Sequence, residues 1–91
     1  MSVMINIPTN LRHYTNGKAV IEVKGNTVGE CLNDLARQFP GIEAGLFDDM
    51  GKLLHYLDVY VNLESSYPEE LDKAVKDGDE LHLTLFTVAG G

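Results

Sequence analysis

The end of the chain carries the residues whose types and spacing suggest the clearest chemistry. Side chains shrink from the aromatic ring of Phe86, through Val88 and Ala89, to none at Gly90 and Gly91. Glycine lets two backbones approach closely, so such a segment can enter a narrow channel. The pattern predicts that a carboxylate at Gly91 is offered to an ATP-using enzyme and that Gly90, Ala89 and Val88 clear its access. A glycine pair can also be a plain flexible end, so its place in the fold has to decide.

The other reactive residue types do not form a catalytic or metal-binding pattern. Cys31 lies on the apolar side of a helical repeat, where a free thiol acts as a small hydrophobic group. His13, His55 and His82 lack ligand spacing and have no cysteine pair with them, so we expect no zinc site. Residues 77–79 (DGD) lack the rest of a calcium loop and predict a turn. We therefore expect no catalytic residue and no metal.

Length and charge limit the possible classes of protein. Ninety-one residues predict a single domain spanning 1–91. Seven Lys and Arg against fourteen Asp and Glu give a charge of -7, which disfavours nucleic acid and anionic membranes as partners. This charge either favours a partner with a positive surface or simply keeps the protein in solution. A lone cysteine and the lack of a leader or long apolar run predict a cytoplasmic location.

The first part of the chain predicts an antiparallel hairpin. Residues 3–7 and 19–23 both alternate between apolar and polar side chains, as half-buried strands do. Pro8 ends the first strand, and a polar stretch leads to the turn dipeptide Asn16-Gly17. Two strands joined in this way most simply pair with each other.

The middle of the chain predicts one main helix and a short one. Thr27 and Glu30 have capping-box spacing, which marks a helix start. Apolar residues then follow at helical spacing until Pro40-Gly41 ends the pattern. A further short helical turn is expected at 42–47, followed by a loop at 48–51. The apolar face of the main helix comprises Val28, Cys31, Leu32, Leu35, Ala36 and Phe39.

The remaining elements complete an α+β arrangement. Residues 53–62 predict a third strand, 68–75 a short helical segment, and 81–86 a final strand. One amphipathic helix can cover one face of a mixed sheet of four or five strands. The order of elements is therefore that of a β-grasp fold, which is the ubiquitin-like fold.

Four residues are candidates for a partner-binding surface near the end of the chain. Tyr60, His82 and Phe86 fall on the face opposite to the core alternation of their strands, and Leu11 is the fourth candidate. Exposed aromatic groups suit the centre of an interface. Ordinary cross-strand pairs that stabilise the exposed face explain them equally well.

Six short motifs follow one another along nearly the whole chain: residues 7–12 (IPTNLR), 26–30 (NTVGE), 39–42 (FPGI), 59–62 (VYVN), 77–80 (DGDE) and 88–91 (VAGG). Together they resemble the MoaD and ThiS family of ubiquitin-like sulfur carriers. Each is weak alone, but the ordered set is specific. The segment at 45–54 looks closest to CysO-type and related MoaD-like carriers, whereas the small subunit of molybdopterin synthase is usually shorter there.

The resemblance implies a carrier rather than an enzyme, with a flexible tail at 87–91. An E1-like adenylyltransferase of the MoeB or ThiF type would use ATP and Mg²⁺ to adenylate Gly91, and sulfur would replace AMP to leave a thiocarboxylate. A sulfur-accepting synthase would then take the sulfur for cysteine, molybdopterin or a related product. The carrier itself would bind no cofactor. The alternatives are the small subunit of molybdopterin synthase and a ubiquitin-like modifier conjugated to lysines.

Overall fold

A computed structural model describes residues 2–85 and divides them between a five-stranded sheet, one α-helix and three short 3-10 helices. The strands and the α-helix are β1 (Ser2–Asn6), β2 (Val20–Lys24), α1 (Val28–Gln38), β3 (Leu57–Val61), β4 (Glu64–Ser65) and β5 (Glu80–Leu85). The 3-10 helices are Thr9–Thr15, Pro40–Gly45 and Glu70–Asp72. No helix among the described residues is both long and apolar enough to cross a membrane.

The sheet is mixed, with the strand order β2-β1-β5-β3-β4. β1 and β5 run parallel, and every other neighbouring pair is antiparallel. The predicted hairpin of β1 and β2 is confirmed, and its loop closes through Asn16 and Gly17 at φ angles of 57° and 82°. The predicted β-grasp arrangement is likewise confirmed. Because β1 and β5 are parallel, their carboxyl ends lie at the same edge of the sheet.

The start of α1 follows the predicted capping pattern with one difference. The Thr27 hydroxyl accepts from the Glu30 amide at 3.1 Å. The Glu30 carboxylate accepts a hydrogen bond from the Asn26 amide at 2.8 Å. In a capping box it would accept from the amide of the N-cap residue, Thr27, one residue later. Gly25 allows this tight entry, since a Cβ there would lie 2.8 Å from the Cys31 nitrogen.

Side chains of α1 also bind the outer edge of the sheet. The Asp34 carboxylate accepts from the Lys24 amide at 3.0 Å, and the Gln38 amide group donates to the Glu22 carbonyl at 3.0 Å. Both bonds satisfy backbone groups of the edge strand β2 that have no neighbouring strand. The helix is thereby held over the inner face, where the core forms. The core includes Val3, Ile5, Ile21, Val23, Val28, Leu32, Leu35, Ile42, Leu46, Val59, Leu81 and Leu83.

The third strand is shorter than the alternation at 53–62 predicted. Leu53 does not join β3 but forms an isolated bridge with Phe47, which closes the loop between them. The Asp48 carboxylate accepts from the amides of Met50 and Lys52 at 2.8 and 3.0 Å and thereby orders this loop. Local hydrogen bonds therefore compete with strand pairing before β3 begins.

The segment after β3 also differs from the prediction. The two-residue strand β4 was not predicted, and the short helix is confined to Glu70–Asp72. Val75 is buried beyond that helix, and its amide donates to the Asn26 carbonyl at 3.0 Å. Leu71 lies in this helix and Val75 lies after it, so the two residues pack against the core without sharing one helical face.

Candidate functional site: the outer face of the sheet

The last described residue, Leu85, lies at the edge of the sheet where β5 ends. In the antiparallel register, Leu85 faces Leu57 at the start of β3. The parallel pairing of β1 and β5 extends only to Asn6 and His82, so β5 continues past the end of that pair. The residues that follow Leu85 therefore start at this edge. Five predicted site residues, Phe86, Val88, Ala89, Gly90 and Gly91, lie outside the described residues.

Two of the predicted docking residues lie side by side on the outer face of the sheet. Tyr60 and His82 are direct partners in the register of β3 and β5, and both are partly exposed. They line a shallow depression of about 260 Å³ together with Asn62, Leu63 and Thr84. The depression is open enough to receive a side chain of another molecule.

Leu11 does not belong to this face, and the prediction that it is part of the docking surface is wrong. Its side chain is only 6% exposed and is part of the core. A Cβ added at Gly45 would lie 3.1 Å from Leu11 Cδ2, which shows how closely the two segments approach. The stretch before Asn16 forms a 3-10 helix rather than an open loop, and this helix turns Leu11 inward.

Leu63 is a surface residue of this site that the sequence prediction missed. Its side chain is 93% exposed. Asn62, just before it, has a φ of 58°. Its backbone N–H donates to the Glu80 carbonyl at 2.6 Å, and its side-chain oxygen accepts from the Glu80 backbone amide at 3.1 Å. These bonds hold the turn that displays Leu63. An apolar residue directly after an asparagine that ends a strand is the sequence signal that could have revealed it.

Polar contacts order the rest of the outer face. His82 Nε2 lies 3.6 Å from the Glu80 carboxylate. The Thr84 hydroxyl donates to the Asp58 carbonyl at 3.2 Å, and the Ser65 hydroxyl donates to the Asp58 carboxylate. The face therefore combines half-exposed rings with fixed acidic groups, which suits binding more than bond chemistry.

The cysteine of α1 supplies no reactive thiol to this face. Cys31 is fully buried, and burial, followed by the nearby charges of Asp34 and Glu30, raises the pKa of its thiol to about 11. The thiol is therefore protonated at neutral pH and serves as core, as the sequence indicated. Within the same residues, no three His, Cys, Asp or Glu side chains converge to hold a metal ion.

Comparisons with known proteins agree on one family. A family model described as the ThiS family matches residues 5–91. The chain is 37% identical, over 94 residues and 100% of both chains, to the sulfur carrier protein CysO of Mycobacterium tuberculosis (strain ATCC 25618 / H37Rv).

Solved structures give the same result. A BexX/CysO complex from Amycolatopsis orientalis matches with a TM-score of 0.87 and 38% identity, over 94% of this chain and 97% of that one. SAMP1 from Haloferax volcanii matches with a TM-score of 0.84 and 30% identity, over 100% of both chains. The chain therefore belongs to the ThiS family and is a CysO-like member of it with the ubiquitin-like β-grasp fold.

Proposed function

We propose that this protein is a sulfur carrier that is loaded at the carboxylate of Gly91. A carboxylate is a poor electrophile, so an E1-like adenylyltransferase of the MoeB or ThiF type first activates it with ATP and Mg²⁺. A carboxylate oxygen attacks the α-phosphorus, pyrophosphate leaves, and an acyl-adenylate forms. Hydrosulfide, or a donor that delivers its equivalent, then attacks the acyl carbon and displaces AMP. The product is a thiocarboxylate.

The observation that carries this proposal is the full-length match to the sulfur carrier CysO, together with the family match that continues through residue 91. The outer face supports the proposal, because Tyr60 and His82 lie on it three register positions from the Leu57–Leu85 pair at the end of β5 and offer a surface on which an activating enzyme can dock. The carrier itself contributes binding and access and supplies no acid, base or metal.

After loading, the sulfur of the thiocarboxylate attacks an activated carbon that a sulfur-accepting synthase holds. The identity with CysO favours cysteine biosynthesis as the destination. Molybdopterin or a related product would use the same carrier chemistry, including a role as the small subunit of molybdopterin synthase. The acceptor differs between these routes, but Gly91 has the same function in each.

Intact-mass measurement tests the loading step. The protein is incubated with ATP, Mg²⁺, a sulfide source and each E1-like enzyme of the source organism. We expect the mass increase that corresponds to one oxygen replaced by sulfur. A variant that lacks Gly90 and Gly91 is the control and should stay unmodified. An unmodified wild-type protein with every such enzyme would overturn the proposal.

A second candidate function is attachment to other proteins through Gly91. It is favoured by the likeness to SAMP1, which is named a small archaeal modifier protein. Both functions start with the same adenylation. Blots of cell lysates for the tagged protein separate them, because a lysine-linked ladder that resists thiol reagents indicates a modifier. A thiocarboxylate without a ladder indicates a carrier alone.

A further inference from the structure

A groove of about 440 Å³ lies at the same edge of the sheet as the end of β5. It opens between the loop that precedes β3 and the segment that follows β4. Asp58 lines it, and in the sheet register Asp58 pairs with Thr84, one residue before Leu85. An enzyme that docks at the end of β5 would therefore lie close to this groove.

Asp58 is an unusual residue to line an open groove, because it is only 8% exposed. Few hydrogen-bond donors from other residues contact its carboxylate. The Ser65 hydroxyl lies 2.8 and 3.1 Å from its two carboxylate oxygens, but one hydroxyl has only one proton to donate. The Tyr67 amide donates to the same hydroxyl at 3.2 Å, which directs the Ser65 proton toward Asp58. Among residues 2–85, no other donor is bonded to this carboxylate. A largely buried carboxylate with one donor retains unused capacity to accept hydrogen bonds.

The walls of the groove suit the stem of a long cationic side chain. Leu53 and Leu57 are core residues whose small exposed parts form an apolar base of the groove, over which methylene groups can lie. Tyr67 also lines the groove and is 74% exposed, so its ring can contact a cation through its π face. Glu70 and Asp48 add two further carboxylates to the lining.

The groove also contains two basic side chains of its own, Lys52 and His55. Of the ion pairs found within residues 2–85, none joins Lys52 to Asp58 or to Glu70. Within residues 2–85, neither Asp58 nor Glu70 therefore forms an ion pair. The whole chain carries a charge of -7, and this charge also attracts a basic surface of a partner.

We propose that this groove receives an arginine or lysine side chain of the enzyme that adenylates Gly91, with Asp58 as the group that binds the cation. The inference rests on the proposed function for the identity of the partner. Asp58 is a specificity residue for partner binding and takes no part in bond chemistry. It complements the apolar contacts of Tyr60 and Leu63 on the same face.

The first test compares Asp58→Asn with Asp49→Asn in ATP–pyrophosphate exchange by the activating enzyme. Both changes remove one negative charge, but Asp49 is exposed and does not line the groove. We expect Asp58→Asn to raise the KM for the carrier about tenfold with kcat unchanged. Asp49→Asn should change KM less than about twofold. Equal KM values for the two variants would overturn the proposal.

A second variant tests the same site if Asp58→Asn does not fold. Tyr67→Ala removes an exposed ring and leaves the Tyr67 amide bond to Ser65 in place. We expect an increase in KM of about threefold from the lost cation–π contact and a stability close to wild type. An unchanged KM for Tyr67→Ala alongside an unfolded Asp58→Asn would refute the proposed site.

Direct titration separates failure of the groove from failure of the proposed function. N-acetyl-arginine methylamide is added to the labelled full chain, and amide shifts are followed by NMR, with the uncharged citrulline analogue as control. We expect arginine-specific shifts around Leu57, Asp58, Ser65 and Tyr67 that disappear in Asp58→Asn. Shifts that persist in Asp58→Asn, or no shifts at these residues, would overturn the groove. If no enzyme adenylates the wild-type protein, the proposed function fails and this titration alone decides the groove.

Discussion

The inner and outer faces of the sheet use alternate residues of the same strands, and they differ in what those residues do. On β5, Leu81 and Leu83 are buried in the core, while His82 between them is partly exposed. On β3, Val59 is fully buried and Tyr60 is partly exposed. The difference indicates that core packing is concentrated on one face, and we propose that the other face binds partners. Mutations should therefore affect the two properties separately.

The largest effect is expected on the inner face. Leu81→Ala should lower the free energy of unfolding by about 2–5 kcal/mol, because it leaves a cavity in a fully buried position of a central strand. Urea denaturation measures this loss. The neighbouring change His82→Ala should cost less than about 1 kcal/mol. Similar losses for both would remove the distinction between the faces.

The buried thiol of α1 makes the inner face sensitive to alkaline pH. The folded pKa of Cys31 is about 11, above its ordinary value of 9.0, so the stability from the neutral thiol is complete below pH 9. It is lost as the pH rises through 11, by an amount on the order of 2 kcal/mol. Denaturation of wild type and Cys31→Ala between pH 8 and 11 checks this. A constant difference between the two proteins over that range would contradict the prediction.

The outer face should affect binding more than folding. Tyr60→Ala should raise the KM of the activating enzyme for the carrier about tenfold, equivalent to about 1.4 kcal/mol of binding energy. Its urea midpoint should stay close to wild type, since Tyr60 is only partly buried. ATP–pyrophosphate exchange and denaturation on the same sample give both values. A large loss of stability without a change in KM would assign Tyr60 to the cross-strand role instead.

The N-cap of α1 tests how much the end of the helix that covers the inner face contributes to stability. Thr27→Ala removes the side-chain acceptor of the Glu30 amide and should cost about 1 kcal/mol of stability. Thr27→Ser keeps that acceptor and is the matched control. Because the cap is remote from the outer face, KM should be unchanged in both variants. A rise in KM for Thr27→Ala would show that helix and docking face are coupled.

The smallest effect is expected at the turn before β5. The amide of Lys76 donates to the Asp79 carboxylate at 2.8 Å, and this bond lowers the pKa of Asp79 from 3.8. The resulting stability is present above pH 3.8 and is lost as the pH falls through the lower folded value. Thermal melting between pH 2 and 6 should show a shallower acid loss for Asp79→Asn than for wild type. Identical acid profiles would show that the bond does not contribute.

The hairpin, the helix and the final strand could be predicted because each is specified by neighbouring residues. Apolar alternation on β1 and β2 and the pairing of Thr27 with Glu30 are local patterns, and they correspond to confirmed elements. The same alternation placed the candidate docking residues Tyr60 and His82 on one face. Leu11 was misplaced because a 3-10 helix of mixed composition has no strong sequence period.

The sequence by itself determined the family, through the ordered motifs, and the fold, through the periods of its strands and helix. Only the tertiary structure brought Asp58 and Ser65 together, because they lie on strands whose register depends on a turn at Asn62. The tertiary structure also placed the groove that Asp58 lines beside the end of β5. The strand partner of Asp58 there is Thr84, which lies 26 residues later in the sequence. Local sequence specifies which groups a strand presents, whereas packing between distant segments decides which of them share a site.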